Sequence, residues 1–156
     1  MPDMLVRLYA LPDPSASRQR ASNAGIVVRR PARVERDALR EWVRRRFSSR
    51  WADECDTAFG ADPPSCFIAD RDGAIVGFAC HDCTRRNFFG PAGVDEAVRG
   101  QGVGAALTIA ALDAMRASGY AYAIIGGVGP EAFYRKTVGA TLIDGSTPGI
   151  YDARSG

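Results

Sequence analysis

Residues 98–107, Val-Arg-Gly-Gln-Gly-Val-Gly-Ala-Ala-Leu, are the stretch that decides how this chain folds. Glycines stand at alternate positions there, Gly100, Gly102 and Gly104, and an apolar segment with helical spacing follows them at once. Glycine has no Cβ, so the backbone N–H groups of this loop are open to a ligand at the start of a predicted helix. Such donors, together with the helix dipole, favour an anion. The stretch therefore predicts a seat for a phosphate or pyrophosphate, as a nucleotide-like cofactor would supply.

The composition indicates a globular protein with an ordinary core. The chain has 156 residues, of which 46% are hydrophobic, and a net charge of +2. That charge is too small to favour a nucleic acid or an anionic membrane as a partner. No apolar run reaches the roughly 20 residues of a membrane span, and the N-terminus lacks the pattern of a signal peptide. We expect a cytoplasmic protein, and the near absence of lysine among its cations favours a bacterial origin.

The cysteines do not predict a metal site. Cys80 and Cys83 flank His81, the only histidine, in the spacing of a metal knuckle. If the strand predicted at 74–82 continues through them, their side chains point to opposite faces and cannot share one ion. No second cysteine pair or histidine pair completes a tetrahedral set. We therefore expect reduced thiols and no bound metal.

The order of the predicted elements is typical of an α/β protein with a mixed sheet and helices on both faces. Asp72-Gly73 between two apolar runs predicts a tight hairpin. Gly90, Pro91 and Gly93 interrupt one strand, which indicates a bulge, a splay or a ladder broken on one side. Strands are predicted at 26–30, 65–70, 74–82, 87–94, 120–125 and 140–143, and helices at 32–47, 51–58, 102–118 and 130–138.

The N-terminal segment differs from the rest of the chain in composition and in its predicted elements. Residues 4–9 predict a short accessory strand, and residues 11–24 are rich in proline, serine and polar side chains, which is typical of a linker. We therefore predict a strand and linker extension over residues 1–24 and a single domain over residues 25–156. In the first predicted helix of that domain, Val34, Ala38 and Trp42 form an apolar stripe, with Leu39, Val43 and Phe47 beside it.

Two familiar nucleotide-binding patterns fit the glycine loop poorly. Residues 100–105 formally match the dinucleotide fingerprint G-x-G-x-x-A, but no strand runs directly into Gly100 and no acid ends the next strand. The P-loop pattern fails because no Lys-Ser or Lys-Thr pair follows the glycines.

Two motifs resemble those of the GNAT superfamily of N-acetyltransferases. Residues 99–104 are similar to its Q/R-x-x-G-x-G/A cofactor loop, and residues 133–140 are similar to its F/L-Y-x-x-x-G-F/A stretch. The resemblance covers about residues 26–143. It implies a single acetyltransferase domain with a mostly antiparallel sheet whose fourth and fifth strands, here 87–94 and 120–125, splay apart.

The sequence departs from that superfamily in two places. The stretch at 126–130 lacks the asparagine that many members carry before the last helix. The chain also ends soon after Tyr151, so the final strand is short or supplied differently.

The resemblance implies acetyl-CoA as co-substrate and assigns residues to it. The pantetheine arm is expected in the gap between the splayed strands and the pyrophosphate on the glycine loop. Tyr134 matches the tyrosine that protonates the leaving thiolate in many members, and the backbone N–H of Val94 is the expected donor to the oxyanion. The expected cofactor-binding residues are Ala92, Gly93, Val94, Arg99, Gly100, Gln101, Gly102, Val103, Gly104, Ala105 and Tyr134.

The general base stays open at this point. Glu54, Asp56, Asp82 and Glu96 are candidates, of which Glu96 and Asp82 are carried forward, and an acid in this role needs a raised pKa or a relay through water. The loop at 146–151 is a candidate for lining the acceptor pocket.

The function implied by the resemblance is transfer of an acetyl group from acetyl-CoA to the primary amine of a small molecule, directly and in a ternary complex. A protein or peptide N-acetyltransferase is one alternative. A non-catalytic acyl-CoA-binding sensor or scaffold is another. The sequence leaves a homodimer open and gives no reason to expect a metal, a nucleic acid or a membrane as partner.

Overall fold

A computed structural model describes residues 1–151, and the predicted domain end at 156 lies outside the described residues. No helix within residues 1–151 combines the length and the apolarity that crossing a membrane requires. The strands are β1 Met4–Arg7, β2 Val27–Arg29, β3 Cys66–Arg71, β4 Ala74–His81, β5 Phe88–Val94, β6 Tyr122–Ile125 and β7 Thr141–Leu142. The α-helices are α1 Pro14–Asn23, α2 Arg36–Arg46, α3 Ser49–Asp56, α4 Val103–Ala117 and α5 Glu131–Val138.

The strands form one seven-stranded sheet in the order β2-β3-β4-β5-β6-β1-β7. Neighbouring strands run antiparallel except β5 and β6, which run parallel. The hairpin between β3 and β4 turns at Asp72 and Gly73, whose φ angles of 53° and 85° are the positive values that a two-residue hairpin turn favours. The predicted mixed, mostly antiparallel sheet is confirmed.

Helices cover both faces of the sheet. On one face α4 buries Leu107, Leu112 and Met115, each of which contributes about 1.5–3 kcal/mol by leaving water. On the other face α2 and α3 pack over Phe78, and α2 buries Leu39 and Val43. These two layers fix the position of the strands that border the site.

The apolar stripe predicted on α2 is wrong in part. Val34 is 91% exposed, and Ala38 is also exposed. The reason is that residues 33–35 form a separate 3₁₀ turn, so the α-helix begins only at Arg36 and turns Leu39 and Val43 towards the sheet. The α-helical period does not hold across the boundary between the 3₁₀ turn and the α-helix, because a 3₁₀-helix has 3.0 residues per turn and an α-helix has 3.6.

β1 lies inside the sheet, not beside it. Met4 pairs with Ile125 of β6 on one side and with Leu142 of β7 on the other. The side chains of Met4, Val6 and Leu8 have no exposed surface. The N-terminal strand therefore joins β6 to β7 within the sheet.

The prediction of a loose linker at residues 11–24 is wrong, because Pro14–Asn23 is helix α1. Asp13 caps it by accepting from the backbone N–H of Ser15 at 2.9 Å, and Pro14 occupies the first turn, where proline is tolerated. Ala21 is its only buried side chain, so the helix shows almost no apolar periodicity. Ala21 belongs to the same core as α4, and the first 24 residues thus share the core of the domain.

The premise about Cys80 and Cys83 is also wrong. β4 ends at His81, and Asp82 has a φ of 56°, which turns the chain out of the strand. The thiol of Cys83 bends back and donates to the carbonyl oxygen of His81 at 3.4 Å. Cys80 and Cys83 therefore lie in one apolar cluster with the other two cysteines. Within the described residues, no group of three or more His, Cys, Asp or Glu side chains is arranged to hold a metal ion.

Candidate active site

A gap opens where β5 leaves β6. The two strands pair only at Phe88 with Ile124 and at Phe89 with Ile125. After Phe89 the register of β5 against β4 shifts, so that two residues, Gly90 and Pro91, oppose one residue of β4. Pro91 has no N–H to donate and the bulge bends β5, so the hydrogen-bond ladder between β5 and β6 cannot continue beyond Phe89. The predicted splay of the two strands is confirmed.

The backbone of β5 beyond the bulge presents donors to this gap. The N–H of Asp95 bonds to the carbonyl of Val76 at 2.8 Å, and Val94 stands opposite Gly77. Because N–H groups alternate sides along an antiparallel strand, the N–H of Val94 points away from β4. It therefore faces the gap, at a level where β6 no longer pairs with β5.

A cavity of about 800 Å³ fills the gap and reaches the start of α4, and we call it the cofactor cavity. All the predicted cofactor-binding residues line it except Gln101. Among the described residues that line it there is no acid, whereas Arg20, Arg99 and Lys136 bring positive charge. The further lining residues are Phe78, Val98, Leu107, Thr108, Pro130, Phe133 and Thr137.

The glycine loop has the backbone that the sequence predicts. Gly100 and Gly102 have φ angles of 83° and 80°, the left-handed region that glycine adopts without strain. Gly102 is the N-cap of α4, so the unpaired N–H groups of the first helical turn point towards the cavity end of the loop. Backbone donors, the helix dipole and nearby cations together make this end of the cavity fit an anion.

Tyr134 lies in the wall of the same cavity. α5 carries it, and the ring packs edge-on against Phe133 and Phe89, with ring centroids 5.1 Å and 5.9 Å away. Burial raises the pKa of Tyr134 to about 12, because the phenolate would lose its hydration there. The hydroxyl therefore keeps its proton at neutral pH and can donate it.

The two acids carried forward as bases do not line this cavity. Asp82 accepts from the backbone N–H of Asn87 and pairs with Nδ1 of His81, both at 2.8 Å. Its carboxylate therefore holds the turn between β4 and β5, beside Tyr120 in a different cavity of about 490 Å³. Glu96 is 87% exposed and lies 3.8 Å from Arg99. The structure brings neither acid to the gap.

A further cavity, of about 340 Å³, lies between α3 and the turn after β4. Tyr151 borders it, and its hydroxyl is 2.9 Å from the hydroxyl of Thr84. The ring of Tyr151 also covers Gly126, where a Cβ would come within 2.6 Å of it, so this cavity lies beside the mouth of the gap. The lining residues are Arg50, Asp53, Glu54, Thr57, Cys83, Thr84, Arg85 and Tyr151. We call it the acceptor-side cavity.

Glu54 is the titratable group of most interest in the acceptor-side cavity. Its side chain is 25% exposed, and Arg50 lies 3.6 Å away. Burial raises the pKa of Glu54, and Arg50 offsets only part of that rise. A carboxylate with a raised pKa is better matched to removing a proton near neutral pH.

Sequence reasoning missed Arg20, which enters the cofactor cavity from α1. The signal that was present is the Asp13-Pro14 pair, since an N-cap residue followed by proline is typical of a helix start. That signal predicts a helix but not the direction of its side chains.

The comparisons agree with this geometry. Residues 36–140, more than half of the chain, match the family model described as the acetyltransferase (GNAT) family. The chain therefore belongs to the GNAT acetyltransferase family, whose members generally use acetyl-CoA as co-substrate. A search of curated proteins gave no significant match.

Solved structures that resemble the fold include the following three. A GCN5-related glucosamine N-acetyltransferase region of a fungal multi-domain GH3 β-N-acetylglucosaminidase has a TM-score of 0.74 at 16% identity, over 91% of this chain and 19% of that one. A GCN5-related N-acetyltransferase from Sphaerobacter thermophilus has a TM-score of 0.67 at 20% identity, over 91% and 48%. One from Kribbella flavida has a TM-score of 0.56 at 18% identity, over 90% and 53%. The chain spans only part of each, and these identities show the fold alone.

Proposed function

We propose that this chain is an acetyl-CoA-dependent N-acetyltransferase that acetylates the primary amine of a small molecule by direct transfer in a ternary complex. The observation that carries the proposal is the cofactor cavity, because its wall contains both the glycine loop and Tyr134. One end thus fits the diphosphate, and a proton donor stands further along the same cavity.

The cofactor cavity fits coenzyme A in shape and in charge. The N–H groups at the start of α4 and the cations of the wall suit the diphosphate, and the free edge of β5 at Ala92 and Val94 suits the amides of the pantetheine arm. Acetyl-CoA supplies an activated thioester, which the neutral form of an amine can attack.

The residues around the gap suggest how this chain assists the transfer. A C–N bond forms and the C–S bond breaks, so the amine must lose a proton and the thiolate must gain one. We assign the first proton to Glu54 and the second to Tyr134, whose pKa of about 12 keeps the phenol protonated, so that it donates a hydrogen bond to the thiolate as the C–S bond breaks. The N–H of Val94 stabilises the oxyanion, a contribution of about 3–4 kcal/mol where such a donor has been removed from other enzymes.

The acceptor-side cavity supports a small amine. Pockets for small molecules measure about 300–1,000 Å³, and the volume of about 340 Å³ lies at the lower end of that range. Direct transfer requires the amine to reach the thioester, and the connection is Tyr151, which borders this cavity and packs over Gly126, directly after the strand β6 that bounds the gap.

Two measurements test this proposal. Calorimetry is expected to show binding of acetyl-CoA, and thiol release is expected with at least one member of a panel of amino sugars, polyamines and amino acids. Glucosamine belongs in the panel because the fungal neighbour is described as a glucosamine N-acetyltransferase region. Binding without turnover would point to the sensor alternative, and turnover with peptides alone would point to the protein alternative. Absence of binding would contradict the proposal.

A further inference from the structure

Arg20 passes directly over the glycine loop. A Cβ built on Gly102 would lie 2.9 Å from Cδ and 3.0 Å from Nε of Arg20. The stem of the arginine therefore occupies the space that a side chain at 102 would fill. Its guanidinium reaches the cofactor cavity, whose wall includes Arg20.

The helix that carries Arg20 is held firmly against α4. Asp13 caps its first turn, and Ala21, the neighbour of Arg20, is fully buried. The carbonyl of Ala21 also accepts from the N–H of Ile26 at 3.0 Å, which ties the end of α1 to the chain that leads into β2. The packing and capping of α1 thus hold the backbone of Arg20 beside the loop, and only its side chain has to become ordered when a ligand binds.

The charge of Arg20 is free for a ligand. Among residues 1–151, no carboxylate lies within ion-pair distance of its guanidinium, and no acid lines the cavity it enters. The nearby Arg99 differs, since its guanidinium lies 3.8 Å from Glu96. An unpaired guanidinium beside a row of backbone N–H groups is suited to a phosphate, which it can bind with two parallel hydrogen bonds.

We propose that Arg20 binds a phosphate group of coenzyme A, which makes the N-terminal helix α1 part of the cofactor site. This inference rests on the proposed function. It adds a cofactor-binding residue from outside residues 36–140, the part of the chain that matches the family. The phosphate is either in the diphosphate or at the 3′ position of the ribose, and both have the same chemistry.

The test is calorimetric titration of the full chain with coenzyme A and with 3′-dephospho-coenzyme A. The variant is Arg20→Gln, which keeps a polar stem over Gly102 and removes the charge. Arg18→Gln is the matched control, because Arg18 lies on the same exposed helix but does not line the cavity. Arg20→Lys tests rescue by charge alone. Thermal unfolding of each variant checks that α1 still packs.

We expect Arg20→Gln to weaken the binding of coenzyme A by at least about tenfold, the loss of one charge-assisted hydrogen bond, and Arg18→Gln to leave it unchanged. An equal loss with the dephospho compound assigns Arg20 to the diphosphate. No loss with the dephospho compound assigns it to the 3′-phosphate. Equal affinities for the wild type and Arg20→Gln, or equal losses in both variants, overturn the inference and leave the proposed function standing. A wild-type chain that binds neither compound overturns both.

Discussion

The cofactor cavity and the acceptor-side cavity are built in opposite ways. The first combines apolar side chains with a glycine loop that presents backbone donors, and its wall contains cations and, among the described residues, no acid. The second is made of side chains, with Arg50 and Arg85 beside Asp53 and Glu54. A loop of backbone donors suits one fixed ligand, whereas a wall of mixed charges can be changed residue by residue to suit another.

In the proposed reaction, this difference separates what the two cavities contribute. Backbone donors at a helix start bind an anion that every acetyl-CoA molecule carries, so they serve affinity. Side chains around the amine set which acceptor enters and where its proton goes, so they serve turnover and selectivity. Variants of the glycine loop are therefore expected to change Kd for the cofactor, whereas variants of Tyr134 and of the acceptor-side cavity are expected to change kcat.

Tyr134→Phe is expected to have the largest effect on turnover. The phenyl ring keeps the packing against Phe89 and Phe133 but has no proton to give to the thiolate. We expect kcat to fall by about 10²–10⁴-fold, the range for a lost general acid, with Kd for acetyl-CoA within about threefold of the wild type. Assays of thiol release measure kcat, and calorimetry measures Kd. A kcat that stays close to the wild-type value would show that Tyr134 serves packing alone.

Tyr134 also predicts a dependence of stability on alkaline pH. Its pKa is raised to about 12 in the fold against about 10 when unfolded, so burial of the neutral phenol stabilises the fold fully below pH 10. That contribution is lost as the pH rises from about 10 through 12. Urea unfolding well below and well above the unfolded pKa is expected to show a larger loss for the wild type than for Tyr134→Phe. Parallel losses in the two proteins would contradict the burial of the hydroxyl.

Glu54→Gln is expected to act on the acceptor side alone. The amide keeps the volume of the side chain but cannot take a proton, so kcat is expected to fall by about 10²-fold while acetyl-CoA binding persists. The burial of Glu54 raises its pKa, and the wild-type rate is expected to fall as the pH drops through that raised value. The difference between the wild-type and variant profiles isolates Glu54, because titration of the acceptor is common to both. Identical profiles would remove Glu54 from the mechanism.

Gly100→Ala and Gly102→Ala probe the cofactor side. Both glycines have φ near +80°, where an alanine costs about 1–2 kcal/mol. Each variant loop is therefore expected to adopt a different backbone conformation in the free protein and to regain the wild-type conformation only when coenzyme A binds. A Cβ at Gly100 meets no atom within 4 Å, whereas one at Gly102 displaces Arg20. We expect Kd for coenzyme A to rise about tenfold in the first and further in the second. Wild-type affinity in both variants would contradict a diphosphate seat on this loop.

The cofactor cavity could be predicted from the sequence because its chemistry is local. The loop at 99–104 carries its glycines, its donors and its helix start within a few residues, and glycine at those positions has a direct conformational meaning. Gly90, Pro91 and Gly93 likewise predicted a broken ladder, because proline and glycine act on the backbone itself. The antiparallel hairpin at Asp72-Gly73 follows from the same kind of signal.

The acceptor-side cavity and α1 could not be predicted in the same way. The cavity takes side chains from α3, from the turn after β4 and from Tyr151, and only the fold brings these together. Helix α1 has no apolar periodicity in its sequence, because Ala21 is its one buried side chain. Only the capping residues at its start predict it. Asp82 shows the same limit, since a carboxylate near a strand end has one appearance in sequence whether it removes protons or holds a turn.

Asp82→Asn is expected to have the smallest effect on turnover and thereby tests where the base lies. The asparagine introduced there can still accept from the N–H of Asn87 and tolerates the left-handed φ of 56°, so the turn keeps its shape, while the charge beside His81 is lost. We expect kcat within about threefold of the wild type and a free energy of unfolding lower by about 1–2 kcal/mol. Assays run beside Glu54→Gln provide the comparison. A fall in kcat as large as that of Glu54→Gln would identify Asp82 as the general base. The amine substrate would then have to bind beside Tyr120 instead of beside Tyr151.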